Sequence, residues 1–325
     1  MRRALVAVLA GVAALLYVGN QSRWVAPPQT SPKLLAHRGV HQTFDTHDLR
    51  NDTCTAQRIH APTHGLIENT LPSMRAAFEA GADWVEFDVH PTRDGQFAVF
   101  HDWTLECRTD GRGVVREHTL AELQALDVGH GYTADGGKTY PLRGQGVGLM
   151  PSLAQVLAAF PSQSFLIHMK SRDAAEGRLL ARHLAALDAA ALARLAVYGS
   201  DEPVVALKQA LPAVRVAPRG ALVQCLLRYE ALGWSGHVPE ACRGGLMLVP
   251  ANVAPWLWGW PHRLQQRLEA AGTQLIVVGP YTGGDFNGGI DSAEALAALP
   301  TDYRGGLWTN RIEQIGPLVR QRTSN

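Results

Sequence analysis

Val85-Glu86-Phe87-Asp88-Val89 is an apolar run that carries two carboxylates at alternate positions. Side chains repeat every two residues along a strand, so both acids would lie on one face of it. Burying charge without a partner costs a large free energy. The run therefore predicts a buried strand whose acids are compensated, most simply by a divalent cation.

Two histidines close apolar runs on either side of this segment. His37 ends Leu34-Leu35-Ala36-His37-Arg38-Gly39, and His101 follows Phe97-Ala98-Val99-Phe100. Two imidazoles beside a cation held by carboxylates are the parts of a hydrolytic site for a phosphate ester.

Short apolar runs alternate with amphipathic stretches along the chain. Candidate strands are 33–37, 84–89, 97–101, 164–169, 195–199, 213–217, 245–249, 274–279 and 305–309. Candidate helices are 70–80, 119–126, 151–159, 174–193, 202–210, 261–271 and 292–298. This alternation predicts an α/β fold with a parallel sheet, and the length suits a (β/α)8 TIM barrel. One of the nine candidate strands is then extra or false. A doubly wound sheet is the alternative, but we find no glycine-rich dinucleotide fingerprint.

Polar residues recur at the ends of these candidate strands. They are His37, Glu86, Asp88, His101, His168, Lys170 and Asn310. Functional residues of a TIM barrel lie at the carboxyl ends of its strands, so we expect these side chains to meet in one site.

The first twenty residues differ from the rest. A basic Met1-Arg2-Arg3 precedes an apolar run from Ala4 to Val18, which is typical of an export signal. We expect residues 1–20 to be a signal peptide or a signal anchor, with 4–19 in the inner membrane if it is retained. Residues 21–32 then form a linker, and 33–322 form a single barrel domain in an extracytoplasmic, periplasmic location.

Charge and cysteine content narrow the class of protein. The formal net charge of +1 gives no reason to expect a nucleic-acid partner. An even number of cysteines in an exported chain suggests disulfides. Of three possible pairings we favour the local one, Cys54–Cys107 with Cys225–Cys242, because each bond would close a Gly- and Pro-containing excursion. Buried free thiols are the alternative, and a structural zinc site lacks the usual C-x2-C pair.

Several motifs occur together in a recognisable order. They are Ala36-His37-Arg38-Gly39, Glu68-Asn69-Thr70, Glu86-Phe87-Asp88-Val89, Thr92-Arg93-Asp94-Gly95 and Val99-Phe100-His101-Asp102. This order and spacing resemble the signature of the glycerophosphodiester phosphodiesterase family. Leu166-Ile167-His168-Met169-Lys170 and Gly306-Leu307-Trp308-Thr309-Asn310-Arg311 resemble later strands of that family more loosely.

The resemblance implies a role for each matching residue. His37 and His101 would be the catalytic acid–base pair, and Glu86 and Asp88 would hold the metal. Arg38, Lys170 and Asn310 would bind the substrate, with the two cations on the phosphate. Glu68 would either join the metal ligands or orient Arg38. Asn69 and Thr70 would cap the following helix.

One position departs from the family pattern, which carries a glutamate where this chain has His168. As the third metal ligand, His168 would remove one negative charge and favour Mn2+, Zn2+ or Fe2+ over Ca2+. Mg2+ remains compatible with two carboxylates and water. Alternatively, His168 contacts the substrate and no metal.

The chain also carries an insertion after the first strand, residues 40–67. It contains His41, His47, His60 and His64, and it leaves the catalytic end of the barrel, so we expect a lid-like loop. A second metal site there is conceivable, but solvation at the surface explains most of these histidines better.

We therefore expect a hydrolase that uses one divalent metal ion (Mg2+, Ca2+, Mn2+ or Zn2+) to convert a glycerophosphodiester to glycerol 3-phosphate and an alcohol. Its partner would be a small phosphodiester or a lysolipid, with possible membrane association through the N-terminus. Two alternatives stay open: a phospholipase-D-like lyase that forms a cyclic phosphate, and a non-catalytic barrel that binds phosphoryl head groups.

Overall fold

The computed structural model describes residues 2–50, 52–283 and 288–324. Met1 of the predicted signal and Asn51 of the predicted lid lie outside the described residues. The strands are β1 Lys33–His37, β2 Trp84–Pro91, β3 Phe97–Val99, β4 Ser164–Met169, β5 Leu195–Gly199, β6 Arg215–Pro218, β7 Leu246–Pro250, β8 Gln274–Val278 and β9 Gly306–Thr309.

Helices follow most of the strands. They are α1 Arg2–Gly19, α2 Leu71–Glu79, α3 Leu120–Gln124, α4 Leu153–Ala159, α5 Ala174–Leu184, α6 Ala189–Ala193, α7 Asp201–Ala210, α8 Arg219–Leu232, α9 His262–Ala270, α10 Ala293–Ala297 and α11 Ile312–Ser324.

Eight parallel strands form a nearly closed barrel, which confirms the predicted fold class. Their order is β6-β5-β4-β2-β1-β9-β8-β7. In the described part of the chain no backbone pairing joins β6 to β7, so the ring has one open seam. The Cys225–Cys242 disulfide links α8, directly after β6, to the segment just before β7 and so spans this seam.

The extra candidate strand is 97–101. It forms β3, which pairs antiparallel with the end of β2 (Val89 opposite Val99) and lies outside the ring of parallel strands. This hairpin carries the chain from the acid-bearing strand back over the mouth of the barrel, and His101 follows it directly.

One predicted helix needs correction, and two helices were not predicted. The predicted helix 174–193 is divided into α5 and α6, because Asp188 begins a new helix by accepting a hydrogen bond from the backbone N–H of Ala191. The helix α8 was not predicted, because its apolar residues do not lie on one face. The helix α11, which contains Pro317, was also not predicted.

Apolar side chains pack in separate layers. The barrel interior is filled by residues such as Leu35, Trp84 and Leu166, while the larger cluster lies between the strands and the surrounding helices. A smaller cluster joins Ala56 and Ile59 of the insertion to side chains between residues 98 and 150.

This smaller cluster changes the interpretation of residues 40–67. Ala56 and Ile59 are buried, and the Cys54–Cys107 disulfide fixes the segment to the loop that follows His101. The segment is therefore a packed wall rather than a free lid, because it has apolar groups to bury. In the part of the chain that the structure describes, its histidines do not form a second metal-binding cluster.

The N-terminal helix has different surroundings. Of the described helices, α1 is long and apolar enough to cross a membrane, and its apolar window is not buried inside the protein. The start of the predicted linker is attached to the barrel. The Ser22 hydroxyl accepts hydrogen bonds from the backbone N–H groups of His262 and Arg263 at the start of α9.

We expect the Cys54–Cys107 disulfide to contribute more stability than the Cys225–Cys242 disulfide. The two bonds close loops with sequence separations of 53 and 17 residues. Loop-closure entropy then predicts losses of about 4 and about 3 kcal/mol in the free energy of unfolding for the paired Cys→Ser variants. Urea unfolding of both variants measures the difference, and an equal or reversed order would contradict it.

Candidate active site

The alternation of the strands brings the site residues to one end of the barrel. Leu35, Trp84 and Leu166 point into the barrel interior. Two residues further along their strands, the same inward face carries His37, Glu86 and His168. Asp88 follows Glu86 on that face, so polar groups form the top layer above an apolar floor.

Glu86 and Asp88 are the centre of this layer, and both are completely buried. Burial, followed by repulsion from Asp88, raises the pKa of Glu86 to about 8. Burial also acts to raise the pKa of Asp88, but the charges of Arg38, His101 and Lys170 together outweigh it and hold that pKa well below its usual value. Glu86 Oε2 is buried without a hydrogen-bond partner.

His168 completes a group of ligand atoms with the two acids. Its Nδ1 lies 2.8 Å from Asp88 Oδ1 and 3.9 Å from Glu86 Oε1. Its ring stacks on Tyr198 at 4.3 Å, and the Tyr198 hydroxyl donates a hydrogen bond of 2.7 Å to Glu86 Oε1. Burial lowers the pKa of His168 to about 4, so the ring is neutral. Nδ1 donates the single ring proton to Asp88, and this proton would have to leave Nδ1 before that atom could bind a metal.

The donor set fits a divalent cation. One ligand atom from each of Glu86, Asp88 and His168 lies within 4.8 Å of the others. Two buried carboxylates, one of them with an unpartnered oxygen, supply the charge and lone pairs that such an ion requires.

Two cations border the acids. Arg38 Nε lies 3.2 Å from Asp88 Oδ2, and Lys170 Nζ lies 3.7 Å from Asp88 Oδ1. Arg38 has a left-handed backbone (φ 57°), and the next residue, Gly39, has φ 80°. A Cβ on Gly39 would also lie 2.9 Å from the Ser73 carbonyl oxygen, so the turn that directs Arg38 into the site requires glycine there.

The hydrogen bonds of His37 determine which ring nitrogen is free. The Asn310 amide donates to Asp291 Oδ2 at 2.8 Å, which directs its oxygen toward His37 Nδ1 at 2.6 Å. Nδ1 therefore carries the proton, and Nε2 is an available base 3.7 Å from Glu86 Oε2. Burial and then Arg38 hold the pKa of His37 well below its usual value, so the ring is neutral.

His101 has an equivalent arrangement with a stronger partner. Its Nδ1 lies 2.6 Å from Asp102 Oδ1, which can only accept, so Nδ1 is again protonated and Nε2 is free. Asp102 Oδ2 lies 3.0 Å from Arg108 Nε. Burial, then Arg38 and Lys170, lowers the pKa of His101.

Arg108 connects the histidine to the wall of the site. Its guanidinium lies 3.1 Å from Glu68 Oε2 as well as 3.0 Å from Asp102, and it donates to Tyr132. The other oxygen of Glu68 accepts a hydrogen bond of 3.0 Å from Arg38. One buried carboxylate thus fixes both guanidinium groups.

The structure brings most of the predicted residues together. His37, Arg38, Glu86, Asp88, His101, His168 and Lys170 surround one space. Glu68 is not part of the metal-ligand group found among the described residues, and it accepts a hydrogen bond from Arg38. The side-chain amide of Asn310, predicted to bind substrate, is hydrogen-bonded to His37 and Asp291.

Other residues of the site were missed. Asn69 has a left-handed backbone (φ 60°) and exchanges two hydrogen bonds with Asp88, whereas Thr70 alone caps α2. Tyr198 is the last residue but one of β5, and its position near the strand end could have indicated it. Asp102 belongs to the motif Val99-Phe100-His101-Asp102. No motif around Asp291 or Arg108 indicates that either residue is near the site.

Comparison with known proteins identifies the family that this chain resembles. The model of the glycerophosphoryl diester phosphodiesterase family matches residues 37–208. A glycerophosphodiester phosphodiesterase of Bacillus subtilis is 37% identical over 123 residues, which is 36% of this chain and 41% of that protein. One from Caldanaerobacter subterraneus is 45% identical over 62 residues, 19% of this chain and 26% of that protein. The matches thus span less than half of these relatives.

Solved structures share the fold over nearly the whole chain. The glycerophosphoryl diester phosphodiesterase domain of a Mycobacterium tuberculosis protein has a TM-score of 0.59 and 17% identity, covering 90% of this chain and 99% of that one. An Agrobacterium tumefaciens glycerophosphodiester phosphodiesterase has a TM-score of 0.55 and 22% identity, covering 88% and 99%. An Oleispira antarctica phosphodiesterase in complex with the product sn-glycerol-3-phosphate has a TM-score of 0.53 and 18% identity, covering 91% and 98%.

We expect Arg108→Met to lower the free energy of unfolding by about 3 to 5 kcal/mol, because Glu68 and Asp102 would remain buried without their shared partner. Urea unfolding measures this loss. The matched control is Arg93→Met, which removes an ion pair whose side chains are 58% and 51% exposed and should leave unfolding unchanged. An unchanged stability of Arg108→Met would contradict the buried network.

Proposed function

The chain belongs to the glycerophosphoryl diester phosphodiesterase family, and from this premise we propose that it hydrolyses glycerophosphodiesters to glycerol 3-phosphate and an alcohol. The observation that carries the proposal is the pair of imidazoles, each with a free Nε2, on the border of a buried acid pair. The sn-glycerol-3-phosphate bound to the Oleispira antarctica phosphodiesterase supports this choice of product.

Each side chain then has a defined task. The neutral imidazole takes the proton of the attacking hydroxyl group at its free Nε2. The other imidazole must carry a second proton, on Nε2, which the negative charge of a bound phosphodiester favours, and it gives this proton to the leaving alkoxide as the P–O bond breaks. Arg38 and Lys170 donate to the non-bridging phosphate oxygens as their charge grows in the transition state. Asn310 and Asp102 keep the proton on Nδ1 of His37 and His101, so that Nε2 is the atom that exchanges protons.

A divalent cation belongs to the proposed site, held by Glu86, Asp88 and His168. When bound it supplies positive charge to the phosphate and to the attacking oxygen. Tyr198 holds Glu86 through its hydroxyl group, and Asn69 holds Asp88, so both carboxylates are fixed in place. Two oxygen ligands with one imidazole favour Mn2+ or Zn2+ over Ca2+.

We also propose that the chain acts outside the cytoplasm, anchored by α1. Two disulfides are typical of an oxidising compartment. The exposed apolar surface of α1 supports insertion into a membrane. Arg2 and Arg3 would remain on the cytoplasmic side.

We expect His37→Ala and His101→Ala each to lower kcat about 10²- to 10⁴-fold on glycerophosphocholine, because each variant loses a proton-transfer group. Phosphorus NMR follows the reaction and identifies the product. The control is His47→Ala in the same protein, since the His47 side chain is 80% exposed. Full activity of both variants would contradict the proposal, and a persistent cyclic phosphate would favour the lyase.

We expect chelation to abolish turnover, and re-addition of Mn2+ or Zn2+ to restore it better than Ca2+. His168→Glu should shift this preference toward Ca2+ and Mg2+, because it replaces nitrogen with a charged oxygen ligand. His168→Ala is the matched control and should weaken the binding of every metal. Activity together with the metal content of each reconstituted variant tests this, and an unchanged preference of His168→Glu would exclude His168 as a ligand.

A further inference from the structure

The exposed side of α8 carries an apolar stripe. Val223, Leu227 and Ala231 are spaced by four residues, which places them on one face of the helix, and Trp234 follows in the 3-10 turn Gly233–Ser235 directly after α8. Val223, Leu227 and Trp234 are 51%, 64% and 43% exposed. Leaving such a row of large apolar groups in water is unfavourable, and contiguous apolar surface marks a contact with a partner or a membrane.

This stripe ends where α1 joins the barrel. The side chain of Asn20, the residue after α1, is buried and donates to the Trp234 carbonyl at 2.8 Å. Arg267 of α9 donates to the Asn20 side chain at 2.9 Å and to the Gly233 carbonyl at 2.9 Å. The end of the apolar helix is therefore fixed to the end of the stripe.

Aromatic and basic groups surround this junction. The Trp24 indole donates to the Val18 carbonyl in the last turn of α1, and Trp24 is 60% exposed. The Arg23 guanidinium lies 4.7 Å from the centre of the Trp24 ring. Exposed tryptophan together with arginine at the end of an apolar helix is typical of the boundary between membrane and water.

We propose that the face formed by Val223, Leu227, Ala231 and Trp234 lies on the surface of the bilayer that α1 enters. The proposal rests on α1 as a membrane anchor and is independent of the hydrolytic activity. Continuity between the stripe and the membrane-crossing helix favours lipid as the occupant, because any surface that borders the exit of α1 is held near the head groups. Glu230 borders the stripe, while Arg219 and Arg228 of the same helix are exposed and can reach lipid phosphates.

A lipid-borne quencher tests the contact in the full chain. The described cysteines are all in disulfides, so a single introduced cysteine takes a fluorophore selectively. Leu227→Cys and Val223→Cys report on the stripe, and Val205→Cys on α7, at 42% exposure, is the matched control. Each labelled protein is reconstituted into phosphatidylcholine–phosphatidylglycerol vesicles with and without lipids that carry a nitroxide at the head group.

We expect several-fold stronger quenching at positions 223 and 227 than at position 205. Equal quenching at the three positions would overturn the proposal. A label at 227 that is shielded from an aqueous quencher but not reached by the lipid quencher would also overturn it, in favour of a protein partner or a second copy. If the full chain did not float with the vesicles, α1 would not be a membrane anchor, and the proposal would be overturned. Turnover of glycerophosphocholine, measured on the same samples, reports separately on the hydrolase.

Discussion

Two carboxylates on one buried face of β2 impose the constraint on which the rest of the site depends. Burial of Glu86, followed by repulsion from Asp88, raises the pKa of Glu86 to about 8, which favours the protonated carboxyl group at neutral pH. The surroundings compensate the two carboxylates with cations and hydrogen-bond donors from distant parts of the chain: Arg38, Lys170 and the Asn69 amide. A metal ion would displace the proton, so the same repulsion that is costly in folding prepares the site for a cation.

Around this centre the protein builds a layer that fixes the reacting groups indirectly. Asp102 orients His101, Arg108 holds Asp102, and Glu68 receives both Arg108 and Arg38. Asp102 and Arg108 lie in the loop after β3, which the Cys54–Cys107 disulfide joins to the insertion, and Glu68 directly follows the insertion. The wall thus has a structural effect on catalytic geometry, which a mobile lid above the barrel would not have.

The sequence predicted the parts of the molecule that follow from periodicity. Alternation along a strand places Glu86 and Asp88 on one face, and the strand-end rule led to His37 and His168. Contacts between residues that are distant in sequence produce no periodic pattern. The contacts of Arg108, Asp291 and Asn69 could therefore be found only in the structure. The helix α8 lacks an amphipathic pattern, because the apolar stripe that we assign to lipid occupies the exposed face, where polar residues are usual. Its sequence therefore did not predict a helix.

The seam between β6 and β7 gives the Cys225–Cys242 bond a meaning beyond loop entropy. Other neighbouring strands of the ring are joined by backbone ladders, whereas in the described residues no ladder joins these two. The helix α8 packs on both strands, and the disulfide ties it to the segment just before β7. The open side of the barrel is therefore held by helix packing and one sulfur–sulfur bond, so part of its rigidity depends on oxidised thiols.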